Sequence, residues 1–104
     1  MSDANEMAGL APMHPGELLR EEILPALGIT KAAFARHLGI SRQTLYELLD
    51  EKTPVTPKLA LRLGRLCGNS PAFWLNLQRD HDLRTLEPQM AEELARIPKL
   101  TAPS

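Results

Sequence analysis

The chain is short of most features that mark a secreted, membrane or metal-dependent protein. It has a single cysteine, Cys67, so no internal disulfide framework can staple it. Cys67 lies in an apolar helical pattern and reads as a buried, inert thiol. Aromatic residues make up only 4% of 104 residues, so the core has to come mainly from Leu, Ile and Ala. β-Branched residues are also few, and both shortages favour helices over strands. No apolar run approaches the roughly 18 residues of a membrane span. No basic leader precedes an apolar stretch, so a cytoplasmic protein is expected.

Constellations for catalysis are missing as well. His14, His37 and His81 stand far apart and lack the paired ligand spacing of a zinc site. The stretch from Gly39 to Gln43 reads G-I-S-R-Q and lacks the second glycine of a nucleophile elbow. There is no glycine-rich phosphate loop. Glu21 and Glu22 are adjacent, so on a helix they point apart and make a poor acid/base pair. These absences argue against an enzyme, a metal or a cofactor.

The formal net charge of −1 also withholds an overall basic balance, but the charge is unevenly spread. Residues 31–65 hold seven basic side chains (Lys31, Arg36, Arg42, Lys52, Lys58, Arg62 and Arg65) against Glu47, Asp50 and Glu51, a local surplus of four positive charges. The remainder holds five basic and ten acidic residues. Phosphate contact needs a local basic face, not a basic total.

What is present is a run of helix starts and stops around enough apolar residues, 43% of the chain, for one core. Residues 1–12 show no periodicity and read as a flexible arm. Pro15 opens a first helix carrying Leu19, Ile23, Ala26 and Leu27; Pro25 should bend or end it, and Gly28 stops it. Thr30 caps a second helix at about 31–38, stopped by Gly39, and Ser41 caps a third at about 42–50. Thr56-Pro57 starts a fourth helix that Gly68 ends, and Ser70-Pro71 starts a fifth reaching Leu86. Pro88 then introduces a short amphipathic piece at about 89–96, before a disordered end. The expected fold is all-α: a five-helix DNA-binding domain over 13–86, with a partly disordered helical extension at 87–104.

Residues 31–50, KAAFARHLGISRQTLYELLD, read as a helix-turn-helix. Ala35 leaves room for the second helix, and Gly39 allows the positive φ of a tight turn. Ile40, Leu45 and Leu48 hold the second helix to the core, leaving its polar N-terminal edge free. That edge begins with Ser41, Arg42, Gln43 and Thr44 and continues with Tyr46 and Glu47. Arg can donate two bonds to guanine and Gln can pair with adenine. A recognition helix reads bases with such N-terminal residues. Lys52, Thr56, Thr30 and Lys31 are placed to contact phosphates.

The segment His14-Pro15-Gly16-Glu17, the helix-turn-helix, Thr56-Pro57 with Ala60-Leu61-Arg62-Leu63, and Phe73-Trp74-Leu75-Asn76-Leu77-Gln78 with Asp82-Leu83 follow in order. Over about residues 13–86 this resembles the HigA antitoxin family, also labelled virulence-associated protein I, within the lambda-repressor-like regulators. The resemblance implies a five-helix domain that binds, as a dimer, a palindromic operator in its own promoter. It also implies a partner, a small basic toxin of the HigB type that cleaves mRNA on the ribosome. By position, Ser41, Arg42, Gln43, Thr44 and Tyr46 would face the operator, and Lys52 and Thr56 the phosphates. One departure is clear: many members have Gly after the recognition helix, where this chain has Asp50-Glu51-Lys52-Thr53-Pro54. Acidic residues there would weaken phosphate contact.

A dimer is also expected on general grounds, because one such module buries too little surface for strong specific binding. Phe73, Trp74, Leu77, Leu83 and Leu86 give the fifth helix more apolar surface than a terminal helix needs, and a symmetric interface is expected there. Trp74 could equally plug the domain's own core. Asp3, Glu6, Glu17, Glu21 and Glu22, or Glu87, Glu92 and Glu93, could receive a basic toxin. A stand-alone regulator and an interaction protein without operator binding remain as alternatives.

Overall fold

Capping side chains set the helix starts in the computed structural model, which describes residues 13–102. The expected arm at 1–12, with Asp3 and Glu6, lies outside the described residues, as do the last two residues of the tail. Helix α1 spans residues 15–27 in three parts: α-helix over Pro15–Leu18, a π turn over Leu19–Ile23, and α-helix over Leu24–Leu27. It is followed by α2 (Lys31–Leu38), α3 (Arg42–Leu49), α4 (Pro57–Cys67), α5 (Pro71–Gln89) and α6 (Ala91–Ala95). The hydroxyls of Thr30, Ser41 and Thr56 accept from the N–H groups of Ala33, Thr44 and Leu59 at 3.0, 3.0 and 3.3 Å. Ser70 does the same for Ala72 at 3.1 Å. Each takes up one of the backbone donors that a helix start leaves without a partner. Helix α1 uses a different cap, since His14 Nδ1 accepts from Gly16 N–H at 2.9 Å.

The prolines act differently at the two places where a helix break is expected. Of the two outcomes expected at Pro25, a bend or an end, the second does not occur: α1 continues to Leu27, with a π turn just before the proline. There the Leu24 N–H reaches back five residues to the Leu19 carbonyl. Such a one-turn widening is a recognised way to fit an irregularity into a helix. Pro88 likewise does not start a new helix; it lies in the last turn of α5. There it forfeits one backbone bond, and Met90 N–H closes the turn on the Leu86 and Glu87 carbonyls at 2.9 and 3.2 Å. The short helix therefore begins at Ala91.

The core joins all of the first five helices. Leu19 and Leu24 of α1, Phe34, Ala35 and Leu38 of α2, Leu45, Leu48 and Leu49 of α3, Val55 of the α3–α4 loop, Ala60 and Leu63 of α4, and Trp74 of α5 are all buried. The Trp74 indole N–H donates to Asn69 Oδ1 at 2.7 Å, so its polar edge is satisfied inside. Gln78, also buried, reaches from α5 to the α3–α4 loop, where its Oε1 accepts from Val55 N–H at 2.8 Å. Beyond Gln78 no described residue is buried, so the second half of α5 runs past the core.

Candidate nucleic-acid interface

The turn between α2 and α3 is braced from α4. Gly39 has φ +75°, and a β-carbon there would lie 2.6 Å from an Arg62 guanidinium nitrogen. That same nitrogen, Nη1, donates to the Leu38 carbonyl at 2.7 Å. Glycine is thus needed for the left-handed backbone, while the guanidinium at the end of a flexible side chain could shift away from a β-carbon. With the turn fixed, Leu45, Leu48 and Leu49 bury one face of α3. Ser41, Arg42, Gln43, Thr44 and Tyr46 are all exposed on its other side.

Neighbouring helix starts join this edge. Lys31, at the start of α2, places its ammonium 5.7 Å from the Tyr46 ring centroid, which suits a cation–π contact. Thr44 shares a cleft of about 320 Å³ with Thr53, Thr56, Lys58 and Arg62. Lys52 is exposed in the loop between. The hydroxyls of Thr30, Ser41 and Thr56 are engaged as caps, each accepting there, and the Ser41 hydroxyl also shares a hydrogen bond with Thr44 Oγ1 at 2.8 Å. Gln43 Nε2 lies 3.4 Å from Glu47 Oε2, a long and exposed contact. Lys58 and Arg62 were counted in the basic segment but not among the phosphate contacts, and both line the Thr44 cleft. The signal for both was their spacing from Thr56 along the first turns of α4.

The acidic loop after α3 is not loose. Glu51 adopts φ 63°, the only positive value among the described non-glycine residues. Its carboxylate accepts from Arg20 Nη2 at 3.3 Å, and Arg20 Nη1 donates to the Leu49 carbonyl at the end of α3. Behind the loop, the rings of His14 and His81 meet edge to face, with centroids 4.9 Å apart. Burial, followed by the charge on His81, pushes the His14 pKa below its ordinary value of 6.5, outweighing Glu51 and Asp82. Burial pushes the Cys67 thiol upward, away from the reactive thiolate.

The residues expected at a dimer interface separate. Trp74 is 0% exposed, so its side chain belongs to the core of its own chain and is corrected to that role. Leu77 is half-buried against that core. Phe73, Leu83 and Leu86 are exposed, at 41, 58 and 47%. At 3.6 residues per turn Leu83 lies about 180° round the helix from Trp74, so no single face could hold both. Leu83 and Leu86 instead line an apolar cleft with Met90 and Leu94, two residues not anticipated. Of the acidic residues considered for a toxin, Glu21 is paired with Arg20 at 2.9 Å, and Glu22 is exposed on the same helix.

Comparison with known proteins matches residues 19–74 to the helix-turn-helix family. The chain is 40% identical over 83 residues to virulence-associated protein I of Dichelobacter nodosus, covering 80% of this chain and 74% of that protein. It is 37% identical over 82 residues to antitoxin HigA-1 of Vibrio cholerae, covering 79% and 77%. Among solved structures it superposes on antitoxin GraA in complex with its operator. The TM-score is 0.81 at 43% identity, covering 88% of this chain and 93% of that one.

Proposed function

The chain belongs to the HigA antitoxin family of helix-turn-helix proteins, and on that premise we propose that it represses its own operon as an operator-binding dimer and neutralises a small, basic, mRNA-cleaving toxin of the HigB type. The observation that carries the reading is the exposed polar start of α3, set on a buried apolar face and ringed by helix starts and basic side chains. Arg42 and Gln43 are the base readers, suited to guanine and adenine edges in the major groove. Ser41, Thr44 and Tyr46 fill in around them with phosphate or thymine-methyl contacts. Thr30, Lys31, Lys52 and Thr56 hold the backbone, joined by Lys58 and Arg62.

Two modules related by a two-fold axis would read half-sites about 34 Å apart. The exposed Leu83 and Leu86, with Phe73 on an adjoining strip of α5, supply the symmetric contact; Leu77, packed on its own core and about 180° round the helix from Leu86, does not join it. The superposition on an operator-bound antitoxin supports the DNA partner. Co-expression with the neighbouring gene, followed by co-purification and a gel shift on the shared promoter, tests the whole reading. The expected result is a stable complex and a shifted promoter. A shift without a co-purifying neighbour would make the chain a stand-alone regulator. No shift would overturn the operator reading.

A further inference from the structure

Glu51 is a residue in the wrong place for a DNA-binding loop. It occupies a left-handed backbone position that glycine takes without steric cost, and it brings a carboxylate next to Lys52. Left free, that carboxylate would repel the phosphates that Lys52 is placed to meet. In the structure it is engaged. Arg20, from α1, spans three acceptors: Glu21 Oε2 from Nε at 2.9 Å, the Leu49 carbonyl from Nη1, and Glu51 Oε2 from Nη2 at 3.3 Å. The Leu49 carbonyl lies in the last turn of α3, where a helix carries partial negative charge and favours a cation.

We propose that Arg20 is a positioning residue for DNA binding, acting through Glu51: it ties the carboxylate back toward α1 and pins the end of the recognition helix to it. This rests on the operator reading above. The device lets an acidic residue occupy the loop without opposing the DNA. A released carboxylate about 7 Å from a phosphate, in the dielectric of water and screened by about 50 mM salt, weakens binding about two-fold, and two half-sites make that about three-fold.

The test uses the full chain and a labelled promoter duplex, with affinity read by fluorescence anisotropy at about 50 mM and about 200 mM salt. Arg20→Ala is expected to weaken binding about three-fold at the lower salt and about two-fold at the higher, as screening predicts. Glu51→Gly should bind within about 1.5-fold of the unaltered chain, and Arg20→Ala with Glu51→Gly should recover to about the same level. Recovery in the double variant is the outcome that a purely structural role for Arg20 would not give. A double variant as weak as Arg20→Ala overturns the proposal, as does an Arg20→Ala chain that binds normally. If Arg20→Ala does not fold, Arg20→Lys provides the same comparison. Lysine's compact ammonium cannot span the three acceptors that the guanidinium reaches, so a partial loss rescued by Glu51→Gly is expected, and a loss without rescue overturns the proposal. Absence of binding by the unaltered chain would remove the operator reading and this proposal together, whereas normal binding by both Arg20 variants removes only the latter.

Discussion

Replacing Gly16 by alanine would set a β-carbon 1.9 Å from the Leu48 carbonyl oxygen, 3.0 Å from its carbon and 3.2 Å from His14 Nδ1. A carbon–oxygen contact settles at about 3.3 Å, so α1 and α3 would have to separate by about 1.4 Å. The obstacle is backbone, so no rotamer change can relieve it. Neither helix is free to move: Pro15 and Leu19 anchor α1 in the interior, and Leu45, Leu48 and Leu49 anchor α3. Overpacking of this kind costs about 1–3 kcal/mol. Any shift also strains the His14 cap, worth about 1 kcal/mol. Alanine's better helix propensity returns about 1 kcal/mol. The net expectation is a loss of about 2 kcal/mol, which for a domain of this size lowers Tm by about 8–16 °C. Thermal unfolding of the full chain followed by circular dichroism measures it. A Tm that falls by less than about 3 °C, or rises, would show that the helices accommodate the methyl group and that the close approach is not a constraint.

Three further outcomes are expected. Gln78→Ala leaves the buried Val55 N–H without its acceptor and should cost about 1–3 kcal/mol in urea unfolding; an unchanged midpoint would mean the loop finds another partner. His14 has a lowered folded pKa, so the unfolded chain takes up its proton first as pH drops below 6.5, and stability should fall from there down to the folded value. His14→Asn keeps a capping oxygen without a titrating ring, and it should flatten that part of the Tm-against-pH profile; an equally steep profile would place the effect on other groups. Leu83→Asp with Leu86→Asp changes only exposed side chains, so it should leave Tm nearly unaltered while converting dimers to monomers in sedimentation. If the unaltered chain is itself monomeric at high concentration, the dimer is wrong.

Local chemistry was the legible part of the fold. Thr30, Ser41, Thr56 and Ser70 cap the helices where their sequence context places them, because a cap is satisfied within three residues. The polar edge from Ser41 to Thr44 was legible for the same reason: helical periodicity alone separates it from Leu45 and Leu48. Interactions between distant residues were not. The bonds from Arg20 to Leu49 and Glu51 cross 29 and 31 residues, and Gln78 reaches Val55 across 23. No periodicity signals them.

The His-Pro-Gly-Glu segment was visible as a motif, but its reasons appeared only with α3 in place. His14 caps, Pro15 fits the first helical position, Gly16 admits the Leu48 carbonyl, and Glu17 puts a negative charge in the first turn. Trp74 shows the opposite case. Its apolar bulk was evident in the sequence, yet core and interface differ only in whether its own chain covers it. Pro25 does not end its helix and Pro88 does not start one, because the helix gives way locally, by a π turn in one case and at a helix end in the other.

The central claim is that the start of α3 reads operator sequence. The most direct measurement compares the unaltered chain with Arg42→Ala plus Gln43→Ala on the promoter duplex and on a scrambled duplex of equal length. Both side chains are exposed, so the fold should be retained. Each good base contact is worth about 1–3 kcal/mol, so affinity for the promoter should fall at least about 30-fold while binding to the scrambled duplex changes little. Promoter affinity that survives the double substitution would contradict the assignment of α3 as the reading helix.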